Sequence, residues 1–279
     1  ELFGDSKVEL RYDGLDGRRR RTILVFEPAP KHLGVGAAMY SFQLQPNEGR
    51  SVYVTVGCEN AADDKPMLTF GKGLRAAFQD NKISSRGMAT VTSSNQIFNE
   101  VVCRSMADLG MLMTATPEGP FPYAGIPWYS TSFGRDGIIT AIQMLWCDSR
   151  IAKGVLHRLA AYQAHAFDPL SDAEPGKILH EMRGGEMAAM REVPFAQYYG
   201  SVDATPLFVM LAGLYVEHTG DLETLRDIWL NIEAALNWID GPGDPDGDGF
   251  VEYHRADEAG LVNQGWKDSY DAIFHADGQ

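Results

Sequence analysis

"SSNQIFNEVVCRSMADLGMLM", from Ser93 to Met113, marks the point at which the chain changes its secondary-structure pattern. Capping Ser and Asn residues stand in front of a series of apolar residues at helical spacing: Ile97, Phe98, Val101, Val102, Leu109, Leu112 and Met113. The stretch therefore predicts a long amphipathic helix at the start of a helical region.

The chain before this helix has the pattern of β-strands. Four short runs are rich in Val, Ile, Tyr and Phe: "KVELRY", "RTILVF", "MYSFQLQ" and "SVYVTVG". Turn-forming clusters such as "YDGLDG" and "PNEG" separate them, and "LRAAFQ" near Leu74 predicts a short helix. We therefore predict an antiparallel β-sandwich, truncated at its start, over residues 1–70, and a linker with a short helix over residues 71–92.

The chain after Met113 predicts further helices with no strand pattern between them. They cover about Gly137 to Trp146, Ser149 to Ala164, Ala204 to a stop at Gly220, and Leu222 to Ile239. Residues 93–279 are therefore predicted to be all-α and built from helical hairpins.

Composition limits the partners of the protein. A net charge of −14 over 279 residues argues against nucleic acid and anionic membranes, whose phosphates attract Lys and Arg. No apolar run approaches the roughly 20 residues of a membrane helix. Three cysteines without a CxxC motif are typical of a reducing compartment, so we predict a cytoplasmic protein.

Two long segments between the predicted helices, residues 114–136 and 167–203, combine aromatic side chains with Arg, Asp and Glu. Long loops in a compact domain are usually functional or disordered, and a disordered linker has few aromatics. Aromatic rings cover the C–H faces of a pyranose while carboxylates and Arg bind its hydroxyls, so the pattern favours a saccharide site that includes Trp128. Alternatively, the aromatics only fix the loops to the helices.

Three groups of polar residues are candidates for this site. Arg135 and Asp136 could clamp a sugar hydroxyl, or Asp136 could cap a helix and Arg135 pair with a nearby acid. Glu181 lies near Arg183 and Glu186, a set that would also suit a surface salt-bridge network. Asp203, before an apolar helix, could cap that helix, as could Ser201.

"NQGWKDSYDA", from Asn263 to Ala272, combines an indole, an ammonium group and two carboxylates. Glycoside hydrolysis commonly uses a general acid with a raised pKa and a second carboxyl group that activates water or attacks carbon. An apolar Trp266 beside Asp268 would raise the pKa of such an acid. The motif alone leaves Asp268 and Asp271 as alternatives.

"DPDGDGFVEYH" places Asp244, Asp246 and Asp248 at alternate positions, a spacing that suits calcium. An EF-hand loop that started at Asp244 would need an acid twelve positions in, where Arg255 stands. We therefore predict a plain turn, with a calcium site as the alternative. The histidines show no HExxH spacing and nucleotide-binding glycine motifs are missing, so we predict neither a metal nor a cofactor.

Five motifs occur in a fixed order after the β region: "SFGRDG", "PGKILHE", "YGSVDATPLF", "DGDGFVEY" and "NQGWKDS". With them the chain resembles, over nearly its whole length, the bacterial amylo-alpha-1,6-glucosidase family of glycogen debranching enzyme-like glycoside hydrolases, which is related to glucoamylases and trehalases. The resemblance implies a multidomain β + α fold, an N-terminal β-sandwich followed by an (α/α)6 toroid. It also implies inverting hydrolysis of α-glucosidic bonds, with α-1,6 branches as the expected linkage.

The resemblance also implies roles for individual residues. Arg135 and Asp136 match the pair that holds the terminal glucose, and Asp268 matches the general acid. Glu181 and Asp203 match acidic positions that line the pocket. Trp128, Trp266 and Lys267 complete the expected substrate-binding set, and the expected partner is an oligo- or polysaccharide.

A complete toroid of twelve helices, at about 12 residues a helix, needs on the order of 300 residues with its loops. The chain has 185 from Asn95 to Gln279. We therefore expect an incomplete toroid that lacks its general base, shows no hydrolysis alone and associates through an exposed helical face. The alternatives are a non-catalytic saccharide-binding module, or a related hydrolase of trehalose or glucosylglycerate-type glucosides.

Overall fold

The computed structural model describes residues 1–60, 68–84, 86–274, 276 and 278, and it divides into two compact units, Glu1–Arg86 and Gly87–Gln279. Positions 61–67, 85, 275, 277 and 279 lie outside the described residues. The predicted segments 1–70, 71–92 and 93–279 each include some of these positions, and their boundaries stay predictions.

The first unit is built on an antiparallel sheet. Its elements are β1 (Leu2–Phe3), β2 (Lys7–Asp13), β3 (Arg19–Glu27), β4 (His32–Leu33), β5 (Ala38–Met39), β6 (Tyr53–Asn60) and helix α1 (Phe70–Ser84). The order β1-β2-β3-β6 forms one four-stranded sheet, and β4 and β5 form a separate two-stranded ribbon. The predicted antiparallel β structure and the short helix are confirmed, whereas a complete sandwich stays a prediction.

The prediction of a full strand over "MYSFQLQ" was wrong. Only the first residue of this run, Met39, belongs to a strand, the two-residue β5. The register pairs Leu24 of β3 with Val8 of β2 on one side and with Val56 of β6 on the other, so both edges of β3 are occupied. Alternating apolar residues predict a strand but cannot show which edge is free to pair with it.

The second unit contains most of the helices. Its elements are α2 (Gln96–Leu112), β7 (Met113–Thr116), β8 (Gly119–Pro122), α3 (Gly134–Met144), α4 (Ser149–Ala161), α5 (Glu186–Ala189), α6 (Ala204–Thr219), α7 (Leu222–Asp227) and α8 (Trp229–Ile239). The predicted helices are confirmed, and Asn95 caps α2 by accepting the Phe98 N–H at 3.1 Å. The helix predicted over Leu222–Ile239 is divided in two at the buried Ile228.

The prediction that this region is all-α was wrong, because β7 and β8 form a hairpin between α2 and α3. The hairpin lies close against α4: a Cβ added at Gly154 would be 2.2 Å from the Pro120 carbonyl oxygen. A glycine at position 154 therefore permits the close approach of helix and hairpin. Glycine and proline in this stretch had predicted only a loop.

The core of the second unit lies between packed helices, since α3 contacts α4 and α6, and α6 contacts α8. Fully buried side chains fill these contacts: Ile138, Ala141, Val155, Leu156, Leu159, Phe208, Leu211 and Ala235. By contrast α2 has no buried residue, and Ile97 is 73% exposed. Among the described residues, no helix is long and apolar enough to cross a membrane.

Helix α6 offers a matched test of its predicted end. Gly220 terminates it at φ +68°, whereas Gly213 lies inside it, and a Cβ added at either position meets nothing within 4 Å. Gly220→Ala should lower the free energy of unfolding by about 1 kcal/mol because of the left-handed backbone, and Gly213→Ala should raise it by about 0.5–1 kcal/mol. Urea denaturation measures both, and a shift of the same sign in the two variants would contradict this account.

Candidate functional site

An extended segment, residues 177–183, brings the predicted site residues towards one another. The Gly134 N–H donates to the His180 carbonyl at 2.8 Å, and the Tyr198 N–H donates to the Glu181 carbonyl at 2.9 Å. A Cβ at position 134 would lie 1.9 Å from the Leu179 carbonyl oxygen, so only glycine allows this approach. The start of α3 and the chain before α6 therefore flank the segment that carries Glu181.

Arg135 stands at the centre of the site and is only 5% exposed. Its Nε lies 2.9 Å from Oδ2 of Asp203, an ion pair whose angle falls outside that of a hydrogen bond. Its Nη1 lies 3.7 Å from Oδ2 of Asp268 and donates to the Trp266 carbonyl at 3.3 Å. Its Nη2 has no hydrogen-bond partner among the described residues. One buried guanidinium thus joins the start of α3, the start of α6 and the C-terminal segment.

Asp203 occupies the N-cap position of α6, but its side chain accepts no capping hydrogen bond, so the prediction of a side-chain cap was wrong. Its Oδ1 accepts the Ser201 hydroxyl at 2.6 Å, and its Oδ2 faces Arg135. The Asp203 side chain is 28% exposed and that of Asp268 is 42% exposed. Both carboxylates are therefore held by Arg135 and also accessible to a ligand.

Glu181 is a buried carboxyl group that forms an ion pair with Arg183, so the predicted salt bridge is present, but its carboxylate does not lie at the surface. Nε of Arg183 donates to its Oε2 at 3.0 Å, and the same guanidinium lies over the rings of Tyr129 and Phe133. Burial raises the pKa of Glu181, the Arg183 guanidinium opposes the shift, and the Asp268 carboxylate adds to it. Glu181 thus shares the electrostatic environment of Asp268.

Asp136 lies in the first turn of α3 with its side chain towards solvent. Partial desolvation raises its pKa although it keeps an exposed surface. The adjacent Arg135 opposes this shift, and the carboxylates of Asp268 and Asp203 add to it. The carboxylate of Asp268 therefore acts on both Asp136 and Glu181, and that of Asp203 acts on Asp136.

Trp128, Trp266 and Lys267 lie at the surface. The indoles of Trp128 and Trp266 are 78% and 77% exposed. The two tryptophans contact the site through their backbone carbonyls. The Trp128 carbonyl accepts a hydrogen bond from Nη1 of Arg183 at 2.5 Å, and the Trp266 carbonyl accepts one from Nη1 of Arg135 at 3.3 Å. The two rings are thus accessible to a ligand.

A buried network that the sequence analysis missed fixes the C-terminal segment. The carboxylate of Asp172 accepts the Tyr198 hydroxyl at 2.7 Å, the Ala256 N–H at 2.7 Å and the Gln264 side-chain amide at 3.1 Å. The Tyr198 oxygen in turn accepts the Leu261 N–H at 2.7 Å. Because the described residues after Asp240 form no helix or strand, these bonds hold the chain that leads to Asp268.

Removing the Tyr198 hydroxyl tests this network. Tyr198→Phe leaves Asp172 and the Leu261 N–H each short of a partner, so the free energy of unfolding should fall by about 1–3 kcal/mol. The Leu261 amide should also exchange faster with solvent. Tyr253→Phe, at a partly exposed ring, is the control. Equal stability of the two variants in urea would show that the network does not hold this segment.

His180 is buried between the rings of Phe133 and Tyr198, and its Nδ1 has no hydrogen-bond partner among the described residues. Burial lowers the pKa of His180 to about 4, and the Arg135 guanidinium adds to the shift. The imidazole is therefore neutral at pH 7, next to the charged groups of the site.

This shift predicts a pH dependence of stability. Below the ordinary histidine pKa of about 6.5 the unfolded chain binds a proton that folded His180 does not, so acidification favours unfolding. Between pH 7 and pH 5 this residue should contribute a loss of about 2 kcal/mol. His180→Phe should show a smaller loss over this range, whereas His254→Phe, at an exposed imidazole, should match the parent chain. If urea denaturation shows the same loss of stability between pH 7 and pH 5 in all three proteins, the lowered pKa of His180 is contradicted.

The carboxylates of Asp244, Asp246 and Asp248 lie within 4.8 Å of one another. Much of their bonding is internal to the turn: the Gly249 N–H donates to Asp244 and the Phe250 N–H to Asp248. The chain here forms the predicted turn, and the bond from Phe250 to Asp248 has the geometry of an Asx turn. The same cluster could also hold a metal ion, so the calcium alternative stays open.

Comparison with known proteins adds one finding. Residues 2–55, in the first unit, match the family model described as the N-terminal domain of (some) glycogen debranching enzymes. No curated protein matches the chain. At a coarse level the chain is thus similar to a class of glycosidase-related proteins that act in glycogen debranching.

Proposed function

We propose that the chain carries the proton-donating side of a glycoside hydrolase site for α-glucosidic bonds, with α-1,6 branch bonds of an oligo- or polysaccharide as substrate. The observation that carries this proposal is the convergence of Asp203 and Asp268 on the buried guanidinium of Arg135. These residues are far apart in sequence and lie on three separate segments.

The energetic cost of this arrangement supports a functional role. Carboxylates close together repel each other, and a buried guanidinium loses its hydration. A structural ion pair needs one carboxylate, whereas Arg135 faces two, and the carboxylate of Asp268 also raises the pKa of both Asp136 and Glu181. Perturbed carboxyl groups in a cluster are typical of catalytic sites.

The match of the first unit to a glycogen-debranching domain supports a glucan substrate. In this proposal the packed helices α3, α4, α6 and α8 belong to an (α/α)6 toroid, and its loops carry the site. The exposed rings of Trp128 and Trp266 cover the apolar faces of glucose units, and Lys267 binds hydroxyls at the rim.

Each group has a chemical task. Asp268 gives its proton to the glycosidic oxygen as the bond from the anomeric carbon to that oxygen breaks. A second carboxylate takes a proton from the water that attacks the anomeric carbon from the opposite face, and the configuration inverts. Arg135 holds Asp203 and Asp268 in place, while Asp136 and Asp203 accept hydrogen bonds from hydroxyls of the terminal glucose.

The proposal predicts a specific loss in Asp268→Asn, made in the full-length protein. The amide keeps the shape of the side chain but donates no catalytic proton, so glucose release from a branched glucan should fall by about 10²–10⁴-fold. Binding of a branched oligosaccharide should change little. Asp271→Asn is the matched comparison, because Asp271 is exposed and is the alternative acid that the motif left open. A loss of glucose release in Asp271→Asn and not in Asp268→Asn would transfer the role of the acid to Asp271.

Glu181→Gln belongs in the same experiment, because burial gives Glu181 the raised pKa expected of a general acid. If Glu181→Gln abolishes glucose release while Asp268→Asn keeps it, the assignment of the acid is wrong. If neither substitution affects hydrolysis, the carboxylate cluster is not the catalytic site.

A further inference from the structure

A cavity of about 510 Å³ lies in the second unit, and none of the predicted site residues lines it. Its volume falls within the range of small-molecule sites, roughly 300–1,000 Å³. Part of its wall is alanine, including Ala164, Ala173 and Ala196. Leu170, Val193 and Tyr199 add further apolar surface, and the polar residues of the lining include His165, Asp168, Arg191, Glu192, Gln197 and Asp257.

Several of these polar side chains have no bonding partner among the described residues. His165, Arg191 and Glu192 are exposed, and their side chains form no hydrogen bond or ion pair with the described residues, so they are accessible to a ligand. Arg191 also adopts φ +58°, a left-handed conformation that is costly for a residue other than glycine. A polar wall with unused donors and acceptors and a strained arginine has the properties of a ligand-binding surface.

The charges of the wall indicate the class of ligand. Three carboxyl groups face one arginine and one histidine, so a phosphate or another anion would meet repulsion. A neutral polyhydroxyl ligand would use both the acceptors and the donors, and its C–H faces would contact the alanines. We propose that this cavity is a saccharide subsite that holds a neutral glucan segment away from the bond to be cleaved, a proposal that rests on the function given above.

The cavity shares a chain segment with the carboxylate cluster. Asp257 and Ala259 line it, and they lie between Ala256 and Leu261, which the Asp172 and Tyr198 network anchors. The same segment continues to Asp268. A glucan in the cavity therefore contacts the segment that carries the proposed acid, and its binding should stabilise that segment.

Titration calorimetry with maltotetraose tests the subsite in an Asp268→Asn background, which prevents hydrolysis. Arg191→Gly removes the side chain and suits the left-handed backbone, so the fold should keep its melting temperature. Its Kd for maltotetraose should rise about tenfold, the loss expected for one hydrogen-bonding side chain. Arg226→Ala, at an exposed position of α7, makes the same charge change and should leave the Kd unchanged.

Ala166→Ile is a second, independent variant, because Ala166 is exposed and lines the cavity. The larger apolar side chain should also weaken maltotetraose binding. An unchanged Kd in both cavity variants, or tighter binding of inorganic phosphate than of maltotetraose, would overturn the subsite. Normal hydrolysis by Asp268→Asn alone would instead overturn the proposed catalytic role while the cavity result stands.

Discussion

The buried carboxylate of Asp172 is the contact on which the candidate site depends. The segment that carries Trp266 and Asp268 has no helix or strand of its own among the described residues, so backbone hydrogen bonds of regular structure do not place it. Asp172 and Tyr198 satisfy the backbone N–H groups of Ala256 and Leu261 instead. Leaving these N–H groups without partners would cost more free energy than the hydrogen bonds themselves contribute. The segment is therefore held in one position.

The sequence predicted those parts of the fold whose local signals were sufficient. The apolar spacing of α2, α4 and α6 and the stop at Gly220 are local properties, and the structure confirms these helices. Strand pairing is not local. The run that starts at Met39 alternates like a strand, but only Met39 is paired, with His32 of β4. The hairpin of β7 and β8 was missed for the opposite reason, since its Gly and Pro residues predict a loop while packing against α4 makes it a hairpin.

The residues of the candidate site also fall into two groups, those that sequence motifs predicted and those that only the structure shows. Arg135, Asp203 and Asp268 were named from motifs, and the structure brings them together, but their roles remain proposals. Asp172 and Gln264 were missed because their sequence context is uninformative: Asp172 lies in a stretch that looks like a turn, and a glutamine carries no motif. Only the bond between them, across more than ninety positions of the chain, shows that they act together. A local pattern cannot predict such a contact.

The charge balance of the site follows from this geometry. Asp136, Glu181, Asp203 and Asp268 would carry four negative charges if all were ionised, against two positive charges on Arg135 and Arg183. The excess is reduced when carboxyl groups keep their protons to higher pH, which is the direction in which burial and neighbouring carboxylates move the pKa of Glu181 and Asp136. The neutral His180 adds no positive charge to offset the excess. The cluster therefore moves the pKa of Glu181 and Asp136 in the direction that a general acid needs, and hydrolysis of a glycosidic bond by acid and base requires one such group.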